Sequence, residues 1–194
     1  LRAQVARDQG DMELARSFLE NALAQEPDHV MTLFTQADLC LDELDIGCAK
    51  EAVSRLQSLA TPADPAAQGS SFLESSGRFQ LLKIHLDSVD DTAEEQARRI
   101  EGALFSGLDL APRQVGRARV RLAQLYSADG KMDQAKRSLE AALSADMESA
   151  AARFWLGALR LREGRSKQAL TDFRACVRSR PAEHDCHRGV VHAL

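Results

Sequence analysis

Apolar residues recur along this chain at spacings of three and four, as in Leu14, Phe18, Leu19, Ala22 and Leu23. That spacing lines one face of a helix. No stretch alternates apolar and polar residues with period two for long enough to make a strand. Pro and Gly fall at intervals rather than in runs. The pattern predicts eleven short helices joined by short turns, at about 1–9, 12–25, 28–42, 46–60, 70–87, 92–108, 112–128, 132–145, 149–163, 166–180 and 182–193.

The helices repeat on a grid. Shifting residues 116–149 by 34 positions onto 150–183 places Ala123 on Gly157, Gly130 on Gly164, Ala135 on Ala169, Leu139 on Phe173, Ala142 on Cys176 and Met147 on Pro181. Gly10, Ala15, Leu19, Ala22 and Pro27 fit the same template. Each position has a physical reason. The small residues let paired helices approach closely, and the large one fills the space between them. The Gly ends a first helix where a left-handed residue is needed. The Pro is expected to open the next helix, where its missing N–H costs nothing.

This pattern resembles the tetratricopeptide repeat (TPR) family. Leu156, Gly157, Gly164, Ala169, Phe173 and Pro181 stand at the family's marked positions, and Tyr126 stands at its aromatic one. Arg153 replaces a further family aromatic, with Phe154 and Trp155 beside it. The resemblance implies an all-α, right-handed superhelical solenoid of helix-turn-helix repeats. Residues 1–194 read as one solenoid with repeats at about 1–27, 28–60, 66–111, 116–149 and 150–183, and a capping helix at 182–193. The second repeat departs from the grid, with a shifted turn expected around Asp45–Gly47. Residues 61–71 (TPADPAAQGSS) read as a long inter-repeat loop.

Composition narrows the function classes. The chain has 194 residues, 44% hydrophobic and 28% charged, with a net charge of −4. No run of 18 apolar residues could span a membrane. The chain begins in mid-pattern and without an initiator Met, as a segment of a longer protein would, and the first ten residues do not read as a signal peptide. There is no Gly-rich phosphate loop, no G-x-S-x-G and no H-E-x-x-H. His184, Cys186 and His187 cluster in EHDCHRGVVH, which reads as a polar helix end rather than a metal site. No catalytic residue, metal or cofactor is expected.

Charge is uneven. Residues 1–65 carry 5 basic and 12 acidic residues, while residues 112–194 carry 16 basic and 9 acidic. In the family, the first helix of each repeat lines a concave groove. That register implies a groove lined by Arg117, Val120, Gln124, Phe154, Ala158, Leu161 and Arg162. Arg beside Phe and Leu suits an acidic-apolar protein or peptide partner. An anionic polysaccharide is the alternative ligand. Nucleic acid is disfavoured by the acidic N-terminal half and by the lack of aromatics interleaved with the Arg residues. Some family members grip a chaperone's C-terminal carboxylate with Lys and Asn. The corresponding positions here are Phe34 and Asp38, Val120 and Gln124, and Phe154 and Ala158, so that clamp is not expected.

Cysteines complete the reading. Cys40 and Cys48 lie on either side of one turn, and Cys176 and Cys186 on either side of another. Residues equidistant from the turn of an antiparallel helix pair face one another, so both pairs are disulfide candidates. Cys is also a common small apolar core filler, and Cys176 occupies a small-residue position. Disulfides would imply an oxidising compartment such as a bacterial periplasm, favoured over the cytoplasm. The expected function is a non-catalytic scaffold in a larger bacterial machine. Its style resembles TPR proteins of the envelope and of exopolysaccharide systems. Uncapped apolar ends would favour self-association.

Overall fold

The computed structural model describes residues 2–60 and 76–194. The expected loop at 61–71 and the start of the helix expected at 70–87 lie outside them. The described residues hold eleven helices and no strand. The all-α repeat architecture read from the spacing is therefore present. Contacts divide the chain into two units, residues 1–7 with 11–89 and residues 8–10 with 90–194. The boundary falls inside the repeat expected at 66–111.

The first unit contains α1 (Arg2–Asp8), α2 (Met12–Gln25), α3 (Val30–Asp42), α4 (Ile46–Ala60) and α5 (Gly77–Asp87). Helices start where side chains can accept the first free N–H groups. Asp11 accepts from Leu14 N at 3.0 Å and Asp45 from Cys48 N at 3.0 Å, caps of the usual kind, and the His29 imidazole accepts from Thr32 N at 3.3 Å. The core packs α3 against α4 and α5 through Leu33, Phe34, Ala37, Ala49, Leu56, Phe79 and Leu82. Leu33 and Leu56 are wholly buried, which stabilises the unit by about 1.5–3 kcal/mol per side chain.

The second repeat lies on the grid after all. Its turn centres on Leu44, 34 residues after Gly10, and Gly47 lies within the first turn of α4. Ala37, Ala49 and Val53 likewise follow Ala3, Ala15 and Leu19 by 34 residues, and all six are buried. The turn expected at Asp45–Gly47 is corrected accordingly. The sequence obscures it because Leu occupies the left-handed position that Gly10, Gly130 and Gly164 hold elsewhere. Leu44 adopts φ 60° and is exposed.

The second unit contains α6 (Ala93–Phe105), α7 (Pro112–Ala128), α8 (Met132–Ala145), α9 (Ala150–Arg162), α10 (Ser166–Ser179) and α11 (His184–Ala193). From α7 onward each helix packs on the one before it, α9 also reaches α7, and α11 also reaches α9. Thr92 opens α6 with a capping box, its side chain accepting from Glu95 N while Glu95 accepts from Thr92 N. Pro112 sits at the first helical position of α7. Pro27 and Pro181 do not sit at such positions. Each lies two residues before a cap, His29 or Glu183, where Pro stops the preceding helix instead of opening the next.

The last helix is set by one aromatic. The Phe173 ring is 2% exposed. A Cβ added at Gly157 on α9 would lie 3.0 Å from that ring, and one at Gly189 on α11 would lie 2.3 Å from it. Phe173 thus fills a gap that two glycines on two neighbouring helices leave open.

All four cysteines are paired. The structure joins Cys40 on α3 to Cys48 on α4, with Cα atoms 5.8 Å apart, and Cys176 on α10 to Cys186 on α11, with Cα atoms 5.7 Å apart. Both links span consecutive helices.

Replacing Leu44 with Gly should raise stability by up to about 1 kcal/mol, because a side chain in the left-handed region costs more than glycine's extra chain entropy. The urea midpoint measures it, and a lowered midpoint would show that the turn is not strained.

Candidate functional site

Helices α7 and α9 open two consecutive repeats. The 34-residue register puts Arg117 with Ala151, Arg121 with Trp155, and Gln124 with Ala158 at equivalent places. Of the expected groove residues, Arg162 is exposed, and Arg117 and Gln124 are half-buried. Val120 is 6% exposed and belongs to the core, which corrects its placement in the groove. Phe154, Ala158 and Leu161 are half-buried and pack against a core cluster of Ala169, Phe173 and Ala193. They are turned towards α10 and α11, because α11 covers that side of α9. The seven residues therefore do not form one open line. Arg117, Gln124 and Arg162 are its polar members, and Trp155, half-buried on α9, stands two turns before Arg162 on the same side of the helix. The Trp155 indole meets the Phe154 ring edge-on, with centroids 5.6 Å apart.

Arg121 is not among the expected groove residues. Its guanidinium donates from Nη2 to Gln96 Oε1 on α6 at 3.1 Å and from Nη1 to Gln124 Oε1 at 3.4 Å. Among the described residues, no carboxylate lies within ion-pair distance of it. Burial alone lowers its pKa from the ordinary arginine value, since a desolvated charge without a counter-charge is disfavoured. The sequence clue is the run Arg113, Arg117, Arg119 and Arg121. That one of them is held by neutral side chains on a neighbouring helix can be read only from the packing.

The other buried cations are different. Arg7 Nη1 meets Asp38 Oδ2 at 3.0 Å, and Arg78 Nη2 meets the same oxygen at 2.6 Å. The Arg78 guanidinium also lies over the Phe34 ring, 4.7 Å from its centroid. Phe34 and Asp38, the first pair of clamp positions, are thus occupied within the first unit. In the second unit Asp172, 1% exposed, takes Arg160 at 2.5 Å and Arg153 at 3.5 Å. Tyr126 on α7 donates its hydroxyl proton to Glu101 on α6. Its pKa is pushed up to about 12, first by burial and then by that carboxylate.

Among the described residues, no group of three His, Cys, Asp or Glu side chains converges, and Cys186 is bonded to Cys176. No helix among them is long and apolar enough to cross a membrane.

Residues 1–29 and 120–184 each match a family model described as tetratricopeptide repeat. These two stretches are similar to tetratricopeptide repeats. Among solved structures, TTC0263, a thermophilic TPR protein in Thermus thermophilus, is 19% identical, with 95% of this chain and 91% of that one covered at a TM-score of 0.59. The TPR domain of P58(IPK) is 16% identical over 99% of this chain and 53% of its own, at a TM-score of 0.56. PilW, described as a widely conserved type IV pilus biogenesis factor, is 15% identical over 91% of this chain and 74% of its own, at 0.51. At these identities the likeness is one of fold. No curated protein matches the chain by sequence. TPR repeats imply a protein–protein interaction scaffold.

Proposed function

We propose that this TPR chain is a non-catalytic scaffold that holds an acidic-apolar segment of a protein partner on the face formed by α7 and α9. The observation that carries this reading is the set of side chains on that face. Arg117, Gln124 and Arg162 supply cationic and amide donors, and Trp155 supplies an apolar aromatic surface beside them. Acidic residues of a partner would be drawn by the basic stretch 112–194, and its apolar residues would cover the indole. An anionic polysaccharide would call for an unbroken row of Arg. Arg153 and Arg160, which would extend such a row on α9, are instead committed to Asp172. That favours a short segment over a polymer.

The setting we propose is a bacterial cell-envelope machine. Two cystine pairs within consecutive helices, in a chain with no free thiol in the structure, fit an oxidising compartment better than the reducing cytosol.

Two measurements test this reading. A double Arg117→Glu, Arg162→Glu variant should bind a panel of short peptides alternating Glu with Leu or Phe about tenfold more weakly than the wild type, with an unchanged far-UV spectrum. Undiminished affinity would remove this face from the argument. A thiol count on unreduced, denatured protein taken from its native compartment should find none free, whereas four free thiols would move the protein to a reducing compartment.

A further inference from the structure

Arg121 poses a problem that the rest of the fold does not solve. A half-buried guanidinium has lost part of its hydration, and a counter-ion normally compensates. Arg7, Arg78, Arg153 and Arg160 all have one, in Asp38 or Asp172. Arg121 has two amide oxygens instead, from Gln96 and Gln124. Gln96 is itself held in place, its Nε2 donating to the Asp91 carbonyl at 3.0 Å.

Four acids of α6 and of the turn before it are engaged elsewhere. Asp91 pairs with Arg99 at 2.7 Å and Glu94 with Arg98 at 3.4 Å. Glu95 closes the Thr92 capping box, and Glu101 accepts from Tyr126. What remains is a cation fixed in orientation by neutral groups, with planar donor geometry that matches a carboxylate. Amides orient such a fork without neutralising it.

Resting on the proposed partner-binding face, we infer that Arg121 is one half of an ion pair whose other half is a carboxylate of the bound partner. The partner's Asp, Glu or terminal carboxylate docks on the Arg121 guanidinium while Gln96 and Gln124 hold the fork in place. The charge therefore carries a folding cost in the free protein that binding relieves. An ordinary structural Arg would do the opposite, because its removal would destabilise the fold.

The experiment uses the full chain and its Arg121→Met and Arg121→Lys variants. Arg121→Met keeps a long apolar side chain without the charge. It should melt at or above the wild-type temperature and bind the Glu/Leu and Glu/Phe peptides about tenfold more weakly or worse. Arg121→Lys keeps the charge without the fork and should bind at an intermediate level. In the wild type, the Arg121 Nε–Hε resonance should shift and saturate on adding succinate at constant ionic strength, and respond less to sulfate or chloride. A lower melting temperature for Arg121→Met with unchanged peptide affinity would overturn the inference, because Arg121 would then be structural. An equal response to sulfate would overturn the carboxylate assignment. If Arg117→Glu, Arg162→Glu weakens the peptides and Arg121→Met does not, the face stands and the counter-ion claim falls. If neither variant weakens them, both fall.

Discussion

Close approach between helices is the constraint on which the described C-terminal repeats depend. An aromatic ring can be buried between α9, α10 and α11 only if its neighbours give up their side chains. Gly157 and Gly189 do so on either side of Phe173. The rule recurs more gently one repeat earlier, where Ala123 stands in place of Gly157 and Leu139 in place of Phe173, both buried. Interiors are close-packed, so a Cβ more or less decides whether such a pair of helices can meet. The Cys176–Cys186 link ties α10 and α11 at a second point. The final helix is therefore placed as the first helix of a further repeat would be.

Charge is distributed by a second rule. Where an arginine is buried for architecture, a carboxylate comes with it. Asp38 bridges Arg7 on α1 and Arg78 on α5 from its place on α3, and Asp172 on α10 holds Arg160 and Arg153 on α9. Each removes charge from the surface that a ligand would see. Replacing Asp172 would take from Arg160 and Arg153 the carboxylate that they share, whereas Arg7 keeps Asp42 as a second partner. Arg121 is the exception to this rule among these arginines. The exception lies on a first helix of a repeat, beside the side chains with which a TPR scaffold would meet its partner.

Much of the architecture is legible because it is written in residue size at fixed spacing. Gly130 and Gly164, Ala135 and Ala169, and Leu139 and Phe173 each do the same physical job one repeat apart, so the period can be read without any structure. The second repeat is harder to read because Leu44 occupies a place where only backbone geometry reveals the left-handed turn. The groove is less legible than the fold. Val120, Phe154 and Leu161 satisfy the register, but an apolar side chain at the edge of a face is buried or open according to what the next helix covers. Here α11 covers Phe154 and Leu161. Arg121 cannot be singled out from Arg117 or Arg119 by spacing, because what marks it is a guanidinium desolvated by burial and held by two glutamine oxygens, which is a property of packing.

The fit of α11 over Phe173 is tested most directly by amide hydrogen exchange in a Gly189→Ala variant. In the wild type, residues 184–193 should exchange as slowly as the neighbouring turns of α10, because the two open as one unit. In the variant the added methyl meets the ring, α11 should lose that protection, and overall stability should fall by about 1–3 kcal/mol. Equal protection of α11 in the two proteins would contradict the packing described here, and with it the repeat register that places α11.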